Sequence, residues 1–241
     1  MLEKTIIDIH SHILPGVDDG ASDYNEADAI IEAQCHDGVY CIYLTPHLRK
    51  GMFDVENHQI RHAFMKYQAH VAEKYPDVTL FLGREYFADS FFLDLIENQD
   101  VITLGESNCV LVEFSRGHNF RYIRNFCYQL MQKNMKPVIA HTERYPVLVE
   151  HREYVKELVE LGAYIQINAN SVLGEEGLKI KWFCSYLMKK NLIAFISSDC
   201  HNVTTRKPNL ARCMHYIEKK LGKSYRVHIA WNQPYKILMR D

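Results

Sequence analysis

Histidines and carboxylic acids stand at the ends of short apolar segments along the whole sequence. These side chains are His10, His12, His47, Glu85, Glu113, His141, Asp199 and His201. Imidazole and carboxylate groups are the ligands with which proteins bind zinc, manganese and iron. Alternate residues of an extended segment point to the same side, so His10 and His12 can face one ion, and Asp199 and His201 repeat that spacing. The pattern predicts a site for divalent metal ions.

The elements that would position these side chains alternate between strand and helix. The predicted strands are residues 5–9, 39–44, 78–82, 109–114, 137–140, 163–167 and 192–196. Segments with helical periodicity lie between them, and one apolar face comprises Ile123, Phe126, Cys127, Leu130 and Met131. This alternation predicts a parallel sheet, and its even spacing favours a closed α/β barrel. A barrel gathers its strand ends at one face, so ligands distant in sequence can meet there.

Length and composition are typical of one globular domain. The chain has 241 residues, of which 47% are hydrophobic and 24% charged, and it contains no linker or low-complexity tract. We therefore expect a single domain over residues 1–241. The net charge of −2 provides no basic surplus for a nucleic-acid backbone, so we expect no nucleic-acid partner.

Cysteine usage and hydropathy predict the compartment. No apolar segment approaches the roughly 20 residues that span a bilayer, so we expect no membrane insertion. Residues 1–9 lack the apolar run of a signal peptide. Seven cysteines without close paired spacing favour reduced thiols. These features predict a cytoplasmic protein.

Four segments of the sequence resemble the motifs of a known family. They read DIHSHILPGVDDG at 8–20, TPHLRKGMF at 45–53, PVIAHTERY at 137–145 and SDCH at 198–201. In this order they resemble the PHP (polymerase and histidinol phosphatase) superfamily, and the Asp-Asp-Gly is specific to its bacterial capsule and exopolysaccharide tyrosine phosphatases. The resemblance implies a distorted (βα)7 TIM-like barrel of the PHP type.

The resemblance also implies roles for individual residues. The implied ligand sets for three metal ions are His10, His12, Glu85 and Asp199; Glu85, Glu113 and His141; and Asp19, His47 and His201. Arg144 and Arg206 match positions that hold phosphate, for which a guanidinium fork is well suited. His47 or His201 is the candidate general acid. Manganese is the expected metal, with iron or zinc as alternatives, because these ions share ligand preferences.

The function implied by the resemblance is hydrolysis of phosphotyrosine in a protein. The expected partner is a bacterial tyrosine autokinase that regulates capsular or exopolysaccharide synthesis. One alternative keeps the metal site but takes a small phosphate monoester such as histidinol phosphate. Another is a catalytically silent barrel that acts as a binding module, although a candidate at every ligand position argues against it.

A thiol mechanism is a further alternative, because Cys200 and Arg206 have the C-x5-R spacing of thiol-dependent tyrosine phosphatases. The phosphate loop of those enzymes relies on glycines for its cradle of amides, and no glycine lies between these two residues. Asp199 and His201, which the metal site requires, flank the cysteine. We therefore interpret Cys200 as a packing side chain.

Overall fold

The computed structural model describes residues 6–239, and within that range every pairing between strands is parallel. The strands are β1 (Ile6–Asp8), β2 (Val39–Leu44), β3 (His47–Leu48), β4 (Thr79–Leu82), β5 (Glu85–Phe87), β6 (Cys109–Glu113), β7 (Lys136–Ile139), β8 (Tyr164–Asn168) and β9 (Phe195–Ser197). They form a three-stranded sheet, β1-β2-β4, and a six-stranded sheet, β3-β5-β6-β7-β8-β9. The predicted start of the first strand, Thr5, lies outside the described residues.

Helices connect the strands and cover the sheet. They are α1 (Tyr24–His36), α2 (Asn57–Lys74), α3 (Ser90–Glu97), α4 (Phe120–Gln132), α5 (Pro146–Glu150), α6 (Arg152–Leu161), α7 (Ala169–Leu173), α8 (Leu178–Lys189), α9 (Leu210–Leu221), α10 (Lys223–Val227) and α11 (Gln233–Leu238), with a 3-10 turn at Thr142–Arg144 and a π-helical turn at His228–Asn232. The predicted apolar face of α4 is buried from Ile123 to Leu130, and Met131 packs at its edge. The predicted α/β alternation is confirmed.

The strand number differs from the predicted seven. Every predicted strand is present, but β3 and β5 add to them because the chain bends after β2 and after β4. Pro46 lacks the N–H that would continue the ladder of β2. At Gly83 a Cβ would lie 2.7 Å from the Leu104 side chain and 2.9 Å from that of Thr45, so a larger residue would displace these side chains. The described range therefore has nine strands, whereas a (βα)7 barrel would have seven.

The first and last strands approach each other and curl the sheet towards a barrel. Beyond their regular ends they are joined by a parallel bridge between Ser11 and Cys200. The N–H of His12 donates to the carbonyl of Cys200 at 2.8 Å, and that of Asp199 donates to the carbonyl of His10 at 2.9 Å. This seam places the segments after β1 and β9 side by side. Across residues 6–239, no helix has both the length and the apolar character needed to cross a bilayer.

Candidate metal centre

Four of the predicted ligands meet at one buried point beside the seam. His10 and His12 follow β1, Glu85 begins β5 and Asp199 follows β9. The Nε2 atoms of the two histidines lie 3.2 Å apart, and Glu85 Oε2 is 3.2 Å from the first and 3.4 Å from the second. Asp199 Oδ1 lies 3.6 Å and 3.5 Å from the same two nitrogens. These donor atoms are close enough to share a cation.

Glu85 connects this group to ligands on neighbouring strands. Its Oε1 lies 2.9 Å from His141 Nε2, and Glu113 Oε1 is 3.7 Å from the same nitrogen. Its Oε2 lies 3.0 Å from His47 Nδ1. The two oxygens of this fully buried carboxylate therefore face different sets of partners, which is the arrangement that a bridging ligand requires.

A third group lies towards the solvent. His12, Asp19, His47 and His201 offer ligand atoms within 4.8 Å of one another. Asp19 Oδ1 lies 3.3 Å from His201 Nε2 and 3.6 Å from His47 Nε2. The side chain of Asp19 is 45% exposed, so it marks the entrance of the centre. The structure thus brings together all nine residues of the implied ligand sets, including Asp19, which no strand end pointed to.

The electrostatics of the centre favour bound cations. Burial raises the pKa of Glu85 and of Asp199, but the neighbouring His10 and other cationic groups outweigh it and hold both pKa values well below their ordinary range. Burial lowers the pKa of His141 to about 4. Burial and the charge of Glu85 raise the pKa of Glu113 to about 7. The cluster therefore contains ionised carboxylates whose charge requires nearby positive charge.

Two buried polar atoms show that these residues fit metal ions. Among the described residues, Glu85 Oε2 and His201 Nε2 are buried polar atoms that have no hydrogen-bond partner. Buried polar atoms without partners are unfavourable, and ligation of a cation would satisfy both. The set of imidazole and carboxylate donors suits manganese, iron or zinc alike.

Both predicted phosphate-binding arginines lie at the Asp199 side of the centre. Arg144 forms an ion pair with Asp199 Oδ2 at 3.0 Å, and Arg206 donates to Asp199 Oδ1 at 3.0 Å and to Asp19 Oδ2 at 3.4 Å. Their side chains are partly exposed. Guanidinium groups in this position can donate to the oxygens of a phosphate that sits over the metal ligands.

Asp18 is a supporting residue that the sequence did not assign. Its buried carboxylate lies 2.7 Å from His12 Nδ1 and accepts hydrogen bonds from the backbone N–H of His47 at 3.0 Å and of Gly20 at 3.0 Å. Gly20 is required here because a Cβ would lie 1.9 Å from the His12 carbonyl oxygen. Asp18 thereby orients two predicted ligands, as carboxylates beside metal-binding histidines commonly do.

The sixth predicted strand, which offers no ligand, supplies two amides instead. Gln166 Oε1 accepts from the N–H of His141 at 2.7 Å and lies 3.2 Å from His10 Nδ1. Asn168, which receives a hydrogen bond from Gln166, donates to Asp199 Oδ2 at 2.8 Å. Polar residues at alternate positions of an apolar strand were the signal that could have found this pair.

The backbone is unusual at two predicted ligands. His141 has φ +31° and Asp199 has φ +52°, both in the left-handed region that residues other than glycine rarely adopt. Each is the second residue after the end of a strand, where this conformation turns the side chain into the centre. Such local strain is concentrated at functional sites.

Cys200 lies in the core, as the sequence interpretation expected. It is fully buried, and its Sγ lies 3.5 Å from Nε2 of Gln34 on α1. Burial raises the pKa of the Cys200 thiol above its ordinary value, whereas a nucleophilic cysteine needs a lowered one. The geometry therefore disfavours the thiol mechanism.

Comparison with known proteins agrees with this arrangement. A family model described as capsular polysaccharide synthesis, CpsB/CapC, matches residues 6–239. The chain is 32% identical over 239 residues to the tyrosine-protein phosphatase CpsB of Streptococcus pneumoniae, covering 97% of this chain and 98% of that protein.

Several solved structures resemble the fold, and two of them are phosphatases. One belongs to the crystal structures of YwqE from Bacillus subtilis and CpsB from Streptococcus pneumoniae, which are described as unique metal-dependent tyrosine phosphatases. The chain matches it with a TM-score of 0.88 and 31% identity, and the match covers 97% of this chain and 94% of that one. Histidinol phosphate phosphatase of Lactococcus lactis, solved with zinc, L-histidinol and phosphate, matches at TM-score 0.59 and 16% identity, with 91% and 94% coverage. The second likeness shows the fold alone.

Proposed function

This chain belongs to the CpsB/CapC family, and from that premise we propose that it is a metal-dependent protein tyrosine phosphatase. One observation supports the proposal above the others. Nine imidazole and carboxylate side chains from several strand ends lie close together, and two arginines lie beside them. A phosphate monoester bound there would lie next to the metal ligands and within reach of the two arginines.

The ligand assignment follows the three groups. We assign His10, His12, Glu85 and Asp199 to one ion, Glu85, Glu113 and His141 to a second, and Asp19, His47 and His201 to a third. Divalent ions held in this way supply Lewis acidity, which lowers the pKa of water and offsets the charge of phosphoryl oxygens. Manganese is our first choice, with iron or zinc as alternatives.

The remaining residues hold the substrate and manage its proton. Arg144 and Arg206 donate to the phosphoryl oxygens, where planar guanidinium groups give directed and charge-assisted hydrogen bonds. A tyrosinate leaving group, with a parent pKa of about 10, needs less protonation than an alkoxide. His47, at the more open side of the centre, and His201 are the candidates that protonate it.

The biological setting follows from the family. We propose that the substrate is a phosphotyrosine protein, in particular a bacterial tyrosine autokinase that regulates capsular or exopolysaccharide synthesis. All seven cysteines are free, which supports a reducing, cytoplasmic location.

The test is phosphate release from a phosphotyrosine peptide by the manganese-loaded chain, with and without chelator. We expect turnover that the chelator abolishes and that manganese restores. Histidinol phosphate, tested under the same conditions, should be hydrolysed at least about tenfold less efficiently, which corresponds to about 1.4 kcal/mol in transition-state binding.

Two results would contradict the proposal. Faster turnover of histidinol phosphate than of the peptide would favour the alternative of a small phosphate monoester. Binding of less than one equivalent of manganese, together with no turnover of either substrate, would indicate a silent binding module.

A further inference from the structure

A short hairpin forms one wall of the metal centre. Residues 49–53 follow β3, and the N–H of Phe53 donates to the carbonyl of Arg49 at 2.9 Å while that of Arg49 donates back at 3.3 Å. Gly51 turns the chain with φ +80°, and its N–H donates to both carboxylate oxygens of Asp54 at 2.8 and 3.0 Å. The hairpin is therefore a defined structure and not a loose loop.

One buried guanidinium fixes both ends of the segment that contains the hairpin. Arg84, which is fully buried, donates to the carbonyl of His47 at 3.3 Å and also to the carbonyl of Val55. At the His47 end, the backbone N–H donates to Asp18. The position of the hairpin is thus tied to the position of a predicted ligand.

Phe53 presents an aromatic surface next to that ligand. Its ring stacks on the His47 ring with centroids 5.0 Å apart and planes inclined by 11°. The side chain is only partly buried. Met52 at the tip of the hairpin is 60% exposed, and the Arg49 guanidinium lies 4.2 Å above the Phe87 ring. The hairpin therefore brings an aromatic ring, an exposed apolar side chain and a cationic side chain to this side of the centre.

The arginines and Phe53 contact different ligands of the centre. Arg144 and Arg206 contact Asp199, and Arg206 also contacts Asp19, whereas Phe53 stacks on His47. A phosphoryl group held by the arginines over the metal ligands would leave its ester substituent free to extend across His47. The Phe53 ring lies there.

We propose that Phe53 contacts the aryl ring of phosphotyrosine and is the residue that makes the site prefer aryl over alkyl phosphates. The inference rests on the proposed function and identifies the part of the site that selects its substrate. A phenyl ring can stack or pack edge-on against Phe53, whereas the short side chain of phosphoserine offers no ring for this contact. Because the hairpin has a defined structure, the surface that contacts the ring is formed in advance, and little ordering is needed when the substrate binds.

The test compares two non-hydrolysable probes on the manganese-loaded full chain by calorimetric titration. Phenylphosphonate carries the ring and methylphosphonate lacks it. We expect the wild type to bind phenylphosphonate about five- to tenfold more tightly, a range typical of one aromatic contact. Phe53→Ala should lose this preference and leave the methylphosphonate affinity within about twofold, while Phe53→Tyr should retain it. Met65→Ala, which removes an exposed apolar side chain from α2, is the control and should behave as the wild type.

Two outcomes would overturn the proposal. The first is that the wild type shows no preference for phenylphosphonate. The second is that Phe53→Ala weakens the binding of both probes equally, which would indicate that the ring only supports His47. Phe53→Leu keeps apolar bulk and covers the case in which the alanine variant folds poorly. Turnover of the phosphotyrosine peptide by the wild type is measured separately. If the wild type hydrolyses the peptide and Phe53→Ala still prefers phenylphosphonate, the proposed role of Phe53 is wrong and the phosphatase assignment is unaffected.

Discussion

At the residue scale, His141 and Cys200 have different environments. His141 faces Glu85 and Glu113 within the cluster of ligands. Cys200 is buried against Gln34, on the side of the seam that packs under α1. Only His141 contributes a ligand atom. Removal of the His141 side chain should therefore weaken metal binding, whereas replacement of Cys200 should not.

His141→Ala should lower kcat/KM for a phosphotyrosine peptide by more than about 100-fold, since even residues that only support a metal ligand contribute 10- to 100-fold. Metal content after manganese loading should fall as well. Cys200→Ser, its matched partner, should stay within about threefold of the wild type because a hydroxyl can replace the thiol beside Gln34. Loss of activity in Cys200→Ser together with full activity in His141→Ala would instead support the thiol mechanism.

The sequence could predict ligands better than the residues that orient them. A histidine or acid directly after one strand is a weak signal, but its repetition after strand upon strand indicates a shared site, so the ligand candidates could be found. Asp18 stands beside Asp19 in an irregular segment, and its contact with His12 depends on how residues 13–20 fold back. Gln166 and Asn168 are strand residues whose roles depend on partners far along the chain.

At the element scale, the segment between β3 and α2 depends on Arg84. This guanidinium is buried, and it donates to the carbonyls of His47 and Val55 and to Oδ1 of Asn57 at the start of α2. Burial lowers the pKa of Arg84 to about 10, which still leaves it charged at neutral pH. The hydrogen bonds to three acceptors are what make this burial tolerable.

Arg84→Met should destabilise the protein by about 3 kcal/mol, because it leaves buried acceptors unsatisfied at about 1–3 kcal/mol each, offset in part by removal of a buried charge. For a chain of this size the melting temperature should fall by about 6–12 °C. Arg61→Met, which removes a partly exposed arginine of α2, should shift it by less than about 2 °C. Differential scanning calorimetry measures both, and similar shifts in the two variants would contradict the role of Arg84 as an anchor.

A buried acid joins α1 to α2. Asp28 on α1 accepts from the Tyr67 hydroxyl at 3.2 Å and lies 2.9 Å from His70 Nε2 and 2.8 Å from Lys74 Nζ, all on α2. Burial raises the pKa of Asp28, but the hydrogen bonds from Lys74 and His70 outweigh it, so the pKa in the folded state is lowered. The stabilisation is therefore present above the unfolded pKa of about 3.9 and is lost as the pH falls through the folded value.

Asp28→Asn should reduce the free energy of unfolding by about 2 kcal/mol at pH 7, since hydrogen bonds to charged groups contribute about 1.5–3 kcal/mol. The difference from the wild type should persist down to about pH 5 and shrink below about pH 4, where Asp28 becomes protonated first in the unfolded chain and then, at lower pH, in the folded protein. Urea denaturation at several pH values measures it. Glu73→Gln, at an exposed position of α2, is the control, and a difference from the wild type that grows on acidification would refute the ionised state of Asp28.

At the scale of the whole molecule, the order of strands could be predicted but their interruptions could not. Apolar runs separated by helical periodicity indicate a parallel sheet directly. Whether a strand bends depends on close packing, such as the contacts of Gly83 with Leu104 and Thr45, which involve segments distant in sequence. The organisation of residues 1–241 as a single domain stays a prediction.

The seam between β1 and β9 divides the ligands into two groups. His10 and His12 lie on one side, Asp199 and His201 on the other, and Asp8 at the seam accepts from the N–H of Ser198 at 3.1 Å. Ions held across this seam would join the first and last strands. Because the unfolded chain cannot assemble such a site, metal binding should stabilise the folded state as a whole.

Manganese at about 100 times its dissociation constant should add about 2.7 kcal/mol to the free energy of unfolding, which raises the melting temperature by about 5–10 °C over that of the chelator-treated protein. Magnesium at the same concentration should have a smaller effect, because it prefers oxygen ligands and the site is rich in imidazole. A double variant, His10→Ala with His12→Ala, removes one side of the seam and should abolish most of the shift. If that variant kept the full manganese shift, the ions would have to be bound elsewhere on the molecule, and the role of the seam as the place where they link the two ends of the sheet would be wrong.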